Sequence, residues 1–247
     1  MRRIHAPDDR EIPPPEGRFS VTLSGHAAKL NFEKRAKQLM EKRGQERSVP
    51  AAILDSRTQE AIQRVYDLTD PPLWLVTASH EGQRGGFVAT FVVRASIVAA
   101  LPRMLIGVAK QHHTWRLIEG SGRFALHLLY TDQLDLVWHF GLQSGNEHDK
   151  FGHLPASRTP GGNPLIAQAL AWLDCRVEER MDGGDRTVYL AAVEHGAANG
   201  SARPLTASQL YANAPADRRQ LLDALYGRDA EIDGAAILAW RTARTTA

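Results

Sequence analysis

Five consecutive polar residues, Lys110, Gln111, His112, His113 and Thr114, follow an apolar run and stand just before Trp115, where a short helix is expected to begin. A cationic, hydroxyl-bearing segment at a helix start can hold a phosphate, because the first backbone N–H groups point outward and the helix dipole favours an anion. Two β-branched stretches precede it, over 87–95 and 104–109, joined by a turn at 99–103 that contains Pro102. A planar apolar ring resting on those strands, with its phosphate at the helix start, is a flavin mononucleotide (FMN) site in outline.

Other chemistries lack their patterns. Gly120, Gly122 and Ala125 have G-x-G-x-x-A spacing, but they follow a helix and enter a strand, the reverse of the dinucleotide fingerprint. Walker, HExxH and G-x-S-x-G signatures are all missing from the sequence. His148, Asp149 and His153 form the nearest histidine cluster, and their spacing matches no standard metal site, so no metal is expected. Cys175 is the sole cysteine, which precludes an internal disulfide and fits a reducing cytoplasm; its place between Leu173 and Val177 suits a buried, inert thiol.

At 247 residues the chain has room for one full domain with appended ends. A net charge of +2 gives no reason to expect nucleic acid, which needs basic residues gathered on one face. The N-terminus has no apolar signal-peptide core, and no apolar run is long enough for a bilayer span, so a cytoplasmic protein without membrane contact is expected.

The elements that must position the polar run read as follows. A Pro-rich, charged start leads to a helix over 31–43 with an Asn31 cap. A second helix over 56–68 stops at Pro71 and Pro72. Strands are expected over 73–78, 87–95 and 104–109, with 80–86 a polar turn; short β-branched strands bounded by Gly or Pro suit a barrel. A helical turn at 114–119, a strand over 123–130 and a helix over 133–140 follow. Residues 141–163 form a long loop, a length typical of lids or partner contacts. A hairpin over 170–179 and 187–195 then closes the barrel, and 208–228 is helical with Pro215 interrupting.

From Pro71 to about Gly196 the chain resembles the flavin reductase-like, FMN-binding split-barrel family. The landmarks come in order: Pro72-Leu-Trp-Leu-Val-Thr-Ala78, Gly86-Phe-Val-Ala-Thr-Phe91, Leu101-Pro102, the 110–114 run, Ser121 to Leu129, Gln133-Leu134, Asp149-Lys150-Phe151, Ala171 to Val177 and Gly184-Asp-Arg186. The resemblance implies a mainly β fold with peripheral helices: an FMN-binding split β-barrel at 58–200, an N-terminal extension at 1–57 and a C-terminal helical extension at 201–247. It implies that Val88, Ala89, Thr90 and Phe91 meet the flavin ring, that Ala109, Lys110, Gln111, His112, His113 and Thr114 meet the ribityl chain and phosphate, and that Lys150 and Phe151 lie at the cofactor. The family usually has Thr-x-Ser-Ser-Phe where this chain has Val88, Thr90, Phe91 and Val92, so one hydroxyl is kept, one position becomes aromatic and one aliphatic. His127 stands where an Asn is common, and Arg186 where a His often lies near the nicotinamide site. The implied activity is NAD(P)H-dependent flavin reduction by a homodimer, with FMN bound non-covalently and NADH or NADPH as reductant. Two alternatives stay open: an electron-relay module serving a redox protein partner at the 141–163 loop, and a split barrel that binds haem or another ligand.

Overall fold

The computed structural model describes residues 53–245 apart from 144, 147, 155 and 156. These residues fall in one compact unit, Pro50–Ala247. The helix expected over 31–43 lies outside them.

Helix α1 (Ser56–Asp67) begins at Asp55, whose carboxylate accepts from the Thr58 N–H as an N-cap. The strands are β1 (Trp74–His80), β2 (Gln83–Ala89), β3 (Val92–Arg94), β4 (Arg103–Ala109), β5 (Arg123–Leu128), β6 (Ala171–Asp182) and β7 (Arg186–Ala198). Helix α2 (His113–Ser121) follows β4, and α3 (Leu134–Gly141) follows β5; α4 (Ala207–Asn213) and α5 (Ala216–Thr245) end the chain.

All paired strands are antiparallel, in the order β2-β1-β5-β6-β7-β4-β3. Consecutive strands β2 and β3 therefore lie at opposite edges. A flat sheet of seven strands would hold its edges about 29 Å apart, whereas the chain from Ala89 to Val92 reaches only about 10 Å. The sheet must curl until its edges meet, and the seam falls at Thr90 and Phe91. The strand expected over 87–95 is broken there because the chain passes from one edge to the other. The turn expected over 80–86 is also shorter: His80 pairs with Gln83, leaving only Glu81 and Gly82, both at positive φ, in a two-residue hairpin.

One core fills the curl, built from Val76, Phe87, Ile106, Val108, Phe124 and Leu126 with Leu117 and Ile118 of α2. A second lies outside it, where Leu75, Leu129, Val137, Phe140 and Phe151 meet Leu205 and Leu210. The 201–247 stretch thus contributes buried residues to the same unit. Among the described residues no helix is long and apolar enough to cross a membrane.

Candidate functional site

The seam leaves backbone groups outside the ladders. Val92 N–H donates to Thr90 O at 2.9 Å and Gly107 N–H to Phe91 O at 3.0 Å, but the N–H groups of Thr90 and Phe91 find no acceptor among the described residues. The half-buried Thr90 hydroxyl also makes no hydrogen bond among them. Val88 is half-buried and Ala89 packs in the core, whereas the Phe91 ring is 62% exposed. Unpaired backbone donors beside an exposed aromatic ring suit the polar edge of a planar heterocycle.

The phosphate-binding run divides in two. Lys110 Nζ sits 2.7 Å from Asp182 Oδ1 on the β6–β7 hairpin, and this hydrogen bond holds the Asp182 carboxyl below its ordinary range. Gln111 Nε2 reaches Asp233 of α5 at 3.4 Å. His112 turns the other way and stacks on Phe87, centroids 4.7 Å apart. His113 lines an open recess of about 550 Å³ with Arg84, Arg116, Asn146, His148 and Asp149. Thr114 is buried: a Cβ on Gly85 would lie 2.9 Å from its Oγ1, so the hydroxyl faces β2 and only a glycine lets the helix start sit this close. Ala109 is likewise buried.

Both histidines are less basic than the sequence suggests. Burial pushes His112 below its ordinary value, Asp229 opposes that, and Lys150, Arg186 and Arg228 add to it. His113 is lowered by burial and then by Arg116 and Lys150. They offer neutral ring nitrogens at pH 7 instead of cations. No side chain caps α2 at its N-terminus, where His112 is extended. Those first N–H groups, with Lys110 and His113 on either side, fit the phosphate of a flavin.

Arg186 lies over the Phe91 ring, 4.8 Å from its centroid. It donates to Asp185 through Nε and to Asp233 Oδ2 through Nη2 at 2.7 Å. The hairpin thus brings Arg186 to the seam.

Lys150 and Phe151 sit deeper. The Lys150 ammonium is buried, donates to Gly86 O at 3.0 Å and Phe140 O at 2.7 Å, and burial lowers its pKa to about 8. Phe151 packs on Phe140 in the second core. Lys150 thereby ties β2 to the end of α3. Much of the 141–163 loop is anchored as well. Asp174, fully buried on β6, accepts from Thr159 Oγ1 at 2.9 Å, Gly161 N at 2.6 Å and Asn163 Nδ2 at 3.0 Å. The long loop is an anchored strap, because a buried carboxylate must have its lone pairs met.

Sequence reasoning missed Asp174, Asp182 and Asp233. An acidic residue inside the apolar Ala171–Val177 stretch is a readable signal of a buried acceptor. Asp233 gave none, since its partners Arg186 and Gln111 lie 47 and 122 residues away. His127, at the position where an Asn is common, is fully buried. Its Nε2 accepts from Ile166 N–H at 3.2 Å and its Nδ1 donates to Leu75 O at 3.1 Å, a wholly internal role.

Comparison with known proteins gives the family. The flavin reductase like domain family matches residues 68–213, more than half of the chain. The reductase subunit HsaB of a flavin-dependent monooxygenase from Mycobacterium tuberculosis is 33% identical over 120 residues, 49% of this chain and 62% of the relative. Diflavin flavoprotein A 1 of Synechocystis is 28% identical over 144 residues, 58% of this chain but 24% of the relative. The matches thus span less than two thirds of these relatives' own length. Nitrilotriacetate monooxygenase component B from Mycobacterium thermoresistibile superposes with a TM-score of 0.53 at 28% identity, covering 61% of this chain and 83% of that one. The FMN-binding protein of Thermus thermophilus, at 23% identity and a TM-score of 0.50, shares the fold over 54% of this chain and 75% of its own. With its curled sheet, open seam and uncapped α2, the chain belongs to the flavin reductase-like family of flavin-binding, split-barrel oxidoreductases.

Proposed function

We propose that this protein is an NAD(P)H-dependent flavin reductase that holds FMN at the Thr90–Phe91 seam, with the phosphate toward the start of α2. The observation that carries this reading is the seam itself, where two N–H groups and a hydroxyl have no acceptor or donor among the described residues. Bound flavin would supply the chemistry by accepting a hydride from NADH or NADPH and releasing electrons singly or in pairs. The chain's own part is binding and orientation. Thr90 and the seam N–H groups meet the polar edge of the ring, Phe91 gives it an apolar wall, and Lys110, His113 and the α2 N–H groups meet the phosphate. Arg186 stands where the nicotinamide substrate approaches. No general acid or base is required of the protein for hydride transfer to a flavin.

The surface near the seam supports a homodimer. Phe91, Val93, Ile97, Val98 and Leu101 are exposed on the β3 edge and the chain flanking it, with Ile97 at 92% and Leu105 opposite Val93 on β4. An apolar stripe on an unpaired sheet edge is a liability unless covered, and a second copy brings the same stripe in two-fold register. HsaB, named as the reductase subunit of a monooxygenase, supports an electron acceptor outside the barrel, a free flavin or a redox protein partner. A cytoplasmic setting agrees with the one buried thiol.

Titration of FMN into the Lys110→Ala and Thr90→Val variants, followed by quenching of flavin fluorescence, tests the assignment. Thr90→Val should weaken binding about three- to tenfold, the range of one neutral hydrogen bond, and Lys110→Ala about tenfold or more, the range of a charge-assisted one, without either lowering the unfolding temperature by more than about 2 °C. Unchanged affinity in both would remove the assigned site.

A further inference from the structure

The last helix, α5, meets the barrel through a half-buried stripe, Leu222, Leu225, Asp229, Asp233, Ile237 and Trp240, of which Asp233 is aimed at the site. None of its residues is buried, and Leu221, Tyr226, Ile232 and Leu238 are exposed. Leu222 packs on the second core, and near the site the hold is local. Asp233 presents Oδ1 to Gln111 and Oδ2 to Arg186, two residues from the two segments that frame the seam. Trp240 lies against the hairpin turn at Gly184, where a Cβ would come within 2.7 Å of the Trp240 Cβ. Arg244 stacks on Trp240 from outside, 4.8 Å from the ring centroid.

A carboxylate that engages a guanidinium with one oxygen and an amide N–H with the other occupies its partners as a ligand phosphate or pyrophosphate would. Arg186 thereby has its charge satisfied by Asp185 and Asp233 while it lies over Phe91. An anionic ligand that uses Arg186 or Gln111 must displace Asp233.

We propose that α5 is a built-in strap over the flavin site, with Asp233 as an internal anion that competes with the phosphate-bearing ligand for Arg186 and Gln111. The proposal deepens the flavin-reductase reading and rests on it for the identity of the ligand. The strap can open because no residue of α5 is fully buried. Loss of the Asp233 contacts leaves a half-buried apolar stripe to retain it, with Leu222 on the second core and Trp240 on the hairpin turn. Binding and strap opening are then coupled: a ligand that favours the open state shifts the helix, and weakening the helix raises apparent affinity by the same factor.

Hydrogen exchange of the full chain, read by mass spectrometry over residues 226–240, tests this with and without saturating FMN. In the apo protein, Asp233→Asn and Trp240→Ala should each speed exchange in that stretch while leaving β5 and β6 unchanged. FMN should speed the same stretch in the unmodified protein, and both variants should bind FMN about two- to fivefold more tightly, the range expected when a partly exposed ion pair is removed as competitor. Slower exchange in the FMN complex together with weaker FMN binding by Asp233→Asn would overturn the strap and make Asp233 part of the ligand site. Should FMN bind none of the three proteins, the flavin reading falls. The strap is then judged by apo exchange alone, and equal rates in all three would overturn it too.

Discussion

Single side chains in this barrel divide by where their polar atoms are satisfied. His127 stands where the family commonly has an Asn, and both ring nitrogens are consumed by the backbone of Leu75 and Ile166. Burial lowers its pKa to about 4, against an ordinary value of about 6.5. Because the folded value is depressed, the unfolded chain binds the extra proton between those values. The histidine's contribution is complete above about pH 6.5 and is lost as the pH falls toward 4. Urea unfolding at pH 7 and pH 5 should show the wild type losing about 2 kcal/mol more than His127→Asn over that interval; equal losses would mean that the imidazole is solvated. Lys150 obeys the same logic from the other side. Its ammonium is spent on the Gly86 and Phe140 carbonyls, so its contribution to the cofactor is to hold β2 in place. Cys175 is buried on β6, and burial raises its thiol pKa, which makes it a poor nucleophile.

At the level of elements, the site exists because the chain crosses the barrel opening between β2 and β3 and then turns β4 directly into α2. Most of these elements were legible: α1 lies at Ser56–Asp67 against 56–68 expected, and the long hairpin turns where glycines at 183 and 184 permit it. The break at Thr90 was not, because residues 87–95 are β-forming on both sides of it and only the sheet order demands an interruption. Nor was the anchoring of the 141–163 loop, since its hold comes from Asp174, a residue outside the loop. Removing that carboxylate leaves three donors facing a buried void. Asp174→Ala should therefore cost about 3 kcal/mol or more in urea unfolding and open residues 157–163 to proteolysis. A cost below about 1 kcal/mol would show that the loop is held elsewhere.

For the whole molecule, the ordered run of landmarks was enough for fold and family, while the partners of Arg186 and Gln111 were hidden because they come from α5, far along the chain. The exposed apolar stripe on the β3 edge bears on assembly. Placing a charge there, as in Leu101→Asp or Ile97→Asp, should shift the protein from dimer to monomer in sedimentation velocity at micromolar concentration, with flavin affinity reduced if the second copy completes the site. A monomeric wild type would leave the stripe to another partner. The central claim, that the seam binds a flavin, is tested most directly by the visible absorption spectrum of the purified protein, recorded as isolated, after added FMN, and on the supernatant after denaturation. Flavin bands are expected that FMN saturates at one per chain and that denaturation releases intact, together with weaker binding in Lys110→Ala and Thr90→Val. A colourless protein that gains no bound flavin on addition of FMN would contradict it.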